Sequence, residues 1–420
     1  MKRSTNNERW QRLEDELRCR TDNADDLISA LRELYSLYTP ALAVWYGNLY
    51  DSDLGGFYYS NSAKESQGFL PDIESTNQAF NFIGSSGLIP SYAELPEWMR
   101  ERTAFFIKYL QDPYSGFFYN LQWDKELTNI HPTRLARDVD SAHNIAKMLG
   151  FELVRKPEIS PVRLEILKMN GDTMPPHLRS KDAFRAYLES FDIKKDTYRL
   201  ASAVVSQFSL LEERDLIETA YQFFERLQNA KTGLFENADN YLAIDSYYTI
   251  SMFYTGIKKP LKYVKKAVPI VLNSLNSEAE VSATRAQHVW RAASNIVKSL
   301  RDSDAPHSAK DADEIVGEMM KLAPDMIRRT TDMLSEFRKP DGSFSYNKNT
   351  GSPFSQGLPV APRGASDGDV NATTICTVGT AKAVFRALDL ITYAPTILDE
   401  DSYADFLGAI KPPRAHRKQV

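Results

Sequence analysis

Cysteine is scarce: Cys19 and Cys376 are the only two in 420 residues, too few for a disulfide framework or a four-thiolate zinc site. A basic surplus is missing as well, since 51 Lys and Arg stand against 56 Asp and Glu for a formal net charge of −5. Nucleic-acid binders carry a basic balance or a dense cationic stripe, so that partner is not expected. No stretch approaches the ~18 consecutive apolar residues of a membrane span. The opening MKRSTNNERWQRLEDELRCR holds none of the apolar core of a secretory signal. The GxGxxG, GxxxxGK[ST] and HExxH patterns are absent, and with them the usual signs of a nucleotide, a cofactor or a catalytic zinc. The expectation is a cytoplasmic globular protein with no cofactor, no metal, no nucleic-acid partner and no membrane span. What the chain has in quantity is core material: 42% apolar residues, with 21 Tyr, 21 Phe and 5 Trp.

One phrase recurs four times. It reads WYGNLYDSDLGGFYY from Trp45, KYLQDPYSGFFYN from Lys108, ERLQNAKTGLFEN from Glu225 and SEFRKPDGSFSYN from Ser335. The frame is a helix end, an Asp/Asn/Pro-rich turn, a glycine and an aromatic. Gly56, Gly116, Gly233 and Gly342 are expected where a chain leaving a helix needs a left-handed residue. Phe57, Phe118, Phe235 and Phe344 then fold back as apolar plugs. A second phrase follows each first one: LPDIESTNQAFNFI, ARDVDSAHNIAKML, LAIDSYYTISMFY and DGDVNATTICTVGTAKAVF. Each begins with an acidic turn and continues with apolar residues at helical spacing.

These phrases organise the chain into helix pairs. Outer helices are expected over 23–38 with 39–50, 95–111, 181–192, 213–229, 260–275 and 312–337. Inner helices are expected over 73–86, 134–150, 196–210, 241–256, 279–300 and 369–388. Each hairpin has an apolar face that it cannot bury alone, and a closed ring of six solves that problem. The fold expected is therefore all-α, an (α/α)6 toroid of six helical hairpins. Residues 1–22 read as an N-terminal helical extension, 23–400 as the single toroid domain and 401–420 as a tail. The long loops 56–72, 118–133 and 343–368 fall at one end of the hairpins, which marks that rim as the working face.

With the Gly-aromatic turns and acidic helix starts in place, the chain resembles the terpenoid-cyclase/protein-prenyltransferase type of α/α toroid. Gly116-Phe117-Phe118 leading to Asp138-Val139-Asp140-Ser141-Ala142 carries the likeness, as does Gly342-Ser343-Phe344 leading to Asp369-Val370-Asn371-Ala372-Thr373. The likeness spans roughly 40–390 and implies a fold shared by cyclases, prenyltransferases and carbohydrate-active enzymes. A prenyltransferase would hold zinc on an Asp-x-Cys pair, which Cys376 does not complete. A cyclase would use Asp-x-Asp-Asp as proton donor, and here Ser141 takes the fourth place after Asp138 and Asp140. Sugar epimerases of this shape use paired histidines, a role open to His143 and His288.

The acidic helix starts supply the candidate chemistry. Asp72, Glu74, Asp138, Asp140 and Asp369, together with His143, are the candidate catalytic residues. Clustered carboxylates raise one another's pKa and place a proton donor beside ionised partners. Acidic residues also simply complement helix N-termini, and Arg134 stands one turn before Asp138 for an i,i+4 pair. Asp140 and His143 share a helix face at i,i+3 and form a candidate acid/base unit. Trp45, Tyr46, Tyr58, Asp245, Tyr247, His288 and Trp290 are candidate substrate contacts, the aromatics as stacking faces for sugar rings or carbocations. Arg363, in a Gly/Pro/Ser-rich segment, is a candidate clamp for a carboxylate or phosphate. The function expected is a carbohydrate-active enzyme, of glycoside hydrolase or lyase type, acting on a short oligosaccharide or other small molecule. The alternatives are a terpene-cyclase or prenyltransferase-like protein acting on an isoprenoid, and a non-catalytic toroid that binds a ligand.

Overall fold

The computed structural model describes residues 5–154, 176–193, 195–235, 241–277 and 282–412. The chain is all-α in class. Among the described residues the strands are two antiparallel ladders of two residues each, Tyr50–Asp51 with Gly56–Phe57 and Phe354–Ser355 with Leu358–Pro359. The helices fall close to the sequence expectation. Ala24–Ser36, Ala41–Leu49, Glu97–Leu110, Lys181–Glu189, Ile217–Leu227, Val264–Asn273 and Ser308–Ser335 match the outer set. Ile73–Ser86, Pro132–Leu149, Thr197–Ser206, Tyr241–Gly256, Thr284–Arg301 and a broken run over Val370–Ala387 match the inner set. The break is a π-helical turn at Ile375–Gly379, between Val370–Thr374 and Thr380–Ala387.

Contacts divide the chain into two compact units. One holds Met1–Tyr35, Ile166–Leu334 and Gly379–Pro395, the other Ser36–Glu165, Ser335–Val378 and Thr396–Val420. In the first, Thr197–Ser206, Tyr241–Gly256, Thr284–Arg301 and Thr380–Ala387 pack side by side in that order. In the second, the neighbours are Pro132–Leu149, Ile73–Ser86 and Val370–Thr374. The buried faces carry the apolar residues of the helical spacing, with Phe80, Ile83, Ile145 and Ala142 all at 0% exposure.

The recurrent turn is built as its residue types dictate. Gly116, Gly233 and Gly342 have φ of 76°, 77° and 84°, and Phe118, Phe235 and Phe344 are buried behind them. In the first copy the left-handed residue is Gly55, with φ 94°, rather than Gly56. Gly56 sits instead in the ladder beside Phe57, so the strict spacing of glycine, one residue and aromatic holds there too. Asp51, Asp112, Asn229 and Asp341 each turn a side-chain oxygen onto backbone N–H groups two or three residues on, the Asx geometry that starts such turns. Gln111 and Gln228, one turn-length earlier, each donate a side-chain amide to the carbonyl of the turn glycine, at 3.0 and 2.9 Å.

The three long loops are ordered. They contain the short helices Asn61–Glu65 and Lys125–Asn129 and the Phe354–Pro359 ladder. Tyr59, Ala63, Trp123, Leu358, Val360 and Ala361, one or more from each loop, form a single apolar cluster, flanked by Phe69 and Leu127. The Trp123 indole N–H donates to the Pro359 carbonyl at 2.9 Å, which ties the second loop to the third. The segment 401–412 opens with the helix Ser402–Ala409, whose Phe406 is fully buried. Most of the basic tail, 413–420, lies outside the described residues.

Candidate functional site

Two polar constellations stand out, one in each unit. The first is built around Arg134, at the start of the Pro132–Leu149 helix and 0% exposed. Its Nε donates to both carboxylate oxygens of Asp138 at 3.1 Å, one helical turn on. Its Nη2 donates to Asp72 Oδ1 at 2.6 Å. Nη1 lies 3.0 Å from Glu74 Oε2, paired by charge though not aligned for a hydrogen bond. Glu74 also accepts from Arg137 at 2.6 Å and from the Ser355 hydroxyl at 2.7 Å. Asn120 donates to Asp138 at 2.8 Å. Asp72 caps the Ile73–Ser86 helix through the Ser75 N–H, 3.0 Å away.

Charge balance explains the protonation of this cluster. Among the described residues, three buried carboxylates face one buried guanidinium, with the exposed Arg137 added. Burial pushes Asp138 up to about 7, against the pull of Arg134 and with the repulsion of Asp72 and Glu74 behind it. Glu74 goes the other way: burial raises it, but Arg134, Arg137 and Ser355 together hold it below the usual range. Arg134 stays charged, because its carboxylate partners outweigh its burial.

The nearby helix start is organised in the same manner. Asp369 caps Val370–Thr374 through the Ala372 N–H at 2.7 Å and accepts the Tyr346 N–H at 3.0 Å. Burial lifts it to about 6, with these donors and the Tyr59 hydroxyl opposing. Asp72, Asp138 and Asp369 are at most 1% exposed. Asp140 is exposed, and desolvation raises its pKa against the pull of His143 and Arg137. The His143 Nδ1 pairs with the Val139 carbonyl at 2.8 Å, the contact one turn back along its own helix.

The second constellation lies in the other unit. Asp245 and His288 each stand one turn inside the starts of two adjacent helices, Tyr241–Gly256 and Thr284–Arg301. They meet at 2.7 Å through Asp245 Oδ1 and His288 Nδ1. Tyr248 stacks on the imidazole, with ring centroids 4.9 Å apart and planes 24° from parallel. The Arg291 guanidinium lies 4.9 Å above the other part of this stack, the Tyr248 ring. Burial raises the Tyr248 hydroxyl pKa, and Arg291 opposes that rise. A carboxylate that holds one imidazole nitrogen fixes the tautomer and supports the ring as a proton acceptor.

The remaining candidates are spread through the packing. Tyr46 is fully buried, stacked on Phe82 at 4.1 Å and hydrogen-bonded to Thr374 at 2.8 Å. Trp45 packs edge-on against Tyr46 at 4.8 Å. Tyr58 donates to Asp51 at 3.1 Å inside the first recurrent turn. Tyr247 is fully buried, and the Trp290 indole donates to Thr330 at 2.9 Å. Arg363 is exposed and lies 5.1 Å over the Phe354 ring. Sequence reading singled out neither Arg137 nor Arg291. Arg291 carried a usable signal: Gln287, Arg291, Ser294, Asn295 and Lys298 form a polar stripe along one helix face, where an inner helix otherwise places apolar residues.

No protein-family model, no curated protein and no solved structure matches the chain.

Proposed function

We propose that the protein is a carbohydrate-active enzyme of the lyase or isomerase kind, in which His288 is the general base. The observation that carries this reading is the 2.7 Å Asp245–His288 pair under the Tyr248 ring, with Arg291 alongside. Breaking a sugar C–H bond next to a carbonyl or carboxylate needs a base and a positive charge for the electrons left behind. His288 Nε2, opposite the Asp245 contact, would take the proton, and Arg291 would face the developing anion. Tyr248 offers a flat apolar face and a hydroxyl to a sugar ring.

Hydrolysis by two opposing carboxylates receives less support, because Asp72, Glu74 and Asp138 are committed to Arg134. The same commitment weighs against Asp138 as the proton donor of an isoprenoid cyclase. We further propose that the helices complete an (α/α)6 toroid and that the protein works in the cytoplasm. The ordered neighbour runs of inner helices within each unit support the toroid. Among the described residues no helix is long and apolar enough to cross a membrane.

The test is incubation of the protein in deuterium oxide with a panel of uronate-containing and neutral oligosaccharides. Proton NMR then reads solvent deuterium entering a sugar C–H position or an unsaturated product forming. His288→Gln should abolish this exchange. Asp245→Asn should slow it by ~10²–10⁴-fold, the usual weight of supported acid/base catalysis. Exchange undiminished in His288→Gln, or none across the panel, would overturn the reading.

A further inference from the structure

The polar stripe on Thr284–Arg301 faces a cavity of about 690 Å³, whose other wall is supplied by Gly379, Lys382, Ala383 and Arg386 and the residues just after them. That volume suits a ligand of one or two sugar units. Five cations line the cavity, Arg291, Lys298, Arg301, Lys382 and Arg386, against two carboxylates, Asp302 and Asp389. The carboxylates are already engaged. Lys298 pairs with Asp302, and Arg301 pairs with Asp389 at 2.8 Å and with Asp313 at 2.7 Å. Neither Arg291 nor Arg386 has an ion-pair partner among the described residues. Lys382 is half-buried, and its pKa is held below the usual range by burial and then by the neighbouring Arg386. Like charges gathered in one concavity repel, and a bound anion relieves that repulsion.

We propose that this cavity binds a phosphate group, either free or carried on a sugar. Two guanidiniums from facing helices match a dianion with three acceptor oxygens better than a single carboxylate, which one arginine satisfies. Hydrogen-bonding side chains for the rest of such a ligand are at hand in Gln287, Ser294 and Asn295. The Asn295 amide N–H₂ is already turned to Ser251 at 2.9 Å, which leaves its oxygen as an acceptor for hydroxyls. The inference does not rest on the proposed base chemistry, since binding here needs no turnover.

Calorimetric titration of the whole protein tests it, with inorganic phosphate, glucose 6-phosphate, glucuronate and glucose as probes. One or both phosphate probes should bind, and the ratio of their affinities tells the free ion from the sugar ester. Affinity should fall at least tenfold when sodium chloride is raised to about 0.5 M, as expected for partly exposed charges. Arg386→Gln with Lys382→Met should weaken phosphate binding tenfold or more, whereas Lys310→Gln, outside the cavity, should not. If the double variant melts early, Arg386→Gln alone, at an exposed side chain, should still weaken phosphate binding, and full binding by that folded single variant would overturn the proposal. Glucuronate or glucose binding as tightly as glucose 6-phosphate, no phosphate binding at low salt, or full binding by a folded double variant would each overturn the proposal.

Discussion

Arg134 lies face-on over Trp123, its guanidinium carbon 4.6 Å from the ring centroid. The pair joins the two things that define this unit: a buried charge cluster and the apolar plug of the three long loops above it. Trp123 belongs to the plug and is fixed by the Pro359 carbonyl. Arg134 belongs to the cluster and holds three carboxylates from two helices. A desolvated cation over an indole adds about 2 kcal/mol to such an arrangement.

Trp123→Ala should therefore act at a distance from its own volume. The loss of a buried indole costs about 3–5 kcal/mol in itself. It also frees loops 56–72, 118–133 and 343–368 from one another. Limited proteolysis should show new cleavage in all three loops together, and cleavage confined to 118–133 would contradict a shared plug.

Arg134→Gln should be more severe, because it strands several buried carboxylates without a counter-charge. Removing one partner of a buried pair typically costs about 3–5 kcal/mol. Equilibrium urea unfolding measures it, and a loss under 1 kcal/mol would show that the cluster accommodates a neutral side chain.

The cluster also sets a pH dependence. Asp138 rises to about 7 in the folded protein, against about 3.9 in an unfolded chain. Between those values the folded state binds the extra proton, so stability falls as pH climbs from about 4 to about 7. The slope from one such group reaches ~1.4 kcal/mol per pH unit. Asp369, lifted to about 6, steepens it over the lower part of the window. Asp138→Asn mimics the protonated form and should remove the slope of the melting temperature between about pH 6 and 7 and reduce it below that, where Asp369 still titrates. A variant as pH-sensitive as the parent would remove Asp138 from the account.

Glycine replacements separate backbone strain from crowding. Gly150 and Gly233 share φ of 73° and 77°, but an added Cβ meets nothing within 4 Å at Gly150. At Gly233 it would lie 2.7 Å from the Tyr263 carbonyl oxygen. Gly150→Ala should cost about 1 kcal/mol, the left-handed penalty alone. Gly233→Ala should cost a further ~1–3 kcal/mol for displacing backbone. Equal melting temperatures for the two variants would refute the crowding.

Local rules made the helices and their ends readable. Gly116, Gly233 and Gly342 sit where an exit from a helix requires them, and Asp72 and Asp369 cap at the positions their residue type favours. Arg134 with Asp138 was legible for the same reason, being four residues apart on one helix. Asp72 and Glu74 reach Arg134 across some sixty positions, and nothing in their own neighbourhood encodes that choice. Asp245 and His288 are 43 residues apart, so their pairing depends on which helices become neighbours. The loop plug was hidden because Tyr59, Trp123 and Leu358 come from irregular segments with no periodicity to follow.

The π-helical turn at Ile375–Gly379 has a rotational consequence. An α-helix advances about 100° per residue, and a π turn accommodates one residue more than the α-helical repeat. The turn therefore acts as a phase shifter between Val370–Thr374 and Thr380–Ala387. Wound instead as regular α-helix, the same five residues would turn the helix they lead into through about 100°. Lys382 and Arg386 would keep their identities and their spacing yet leave the cavity they now line. The placement of positive charge in that unit is thus a matter of helix phase, set at five residues that carry no charge themselves.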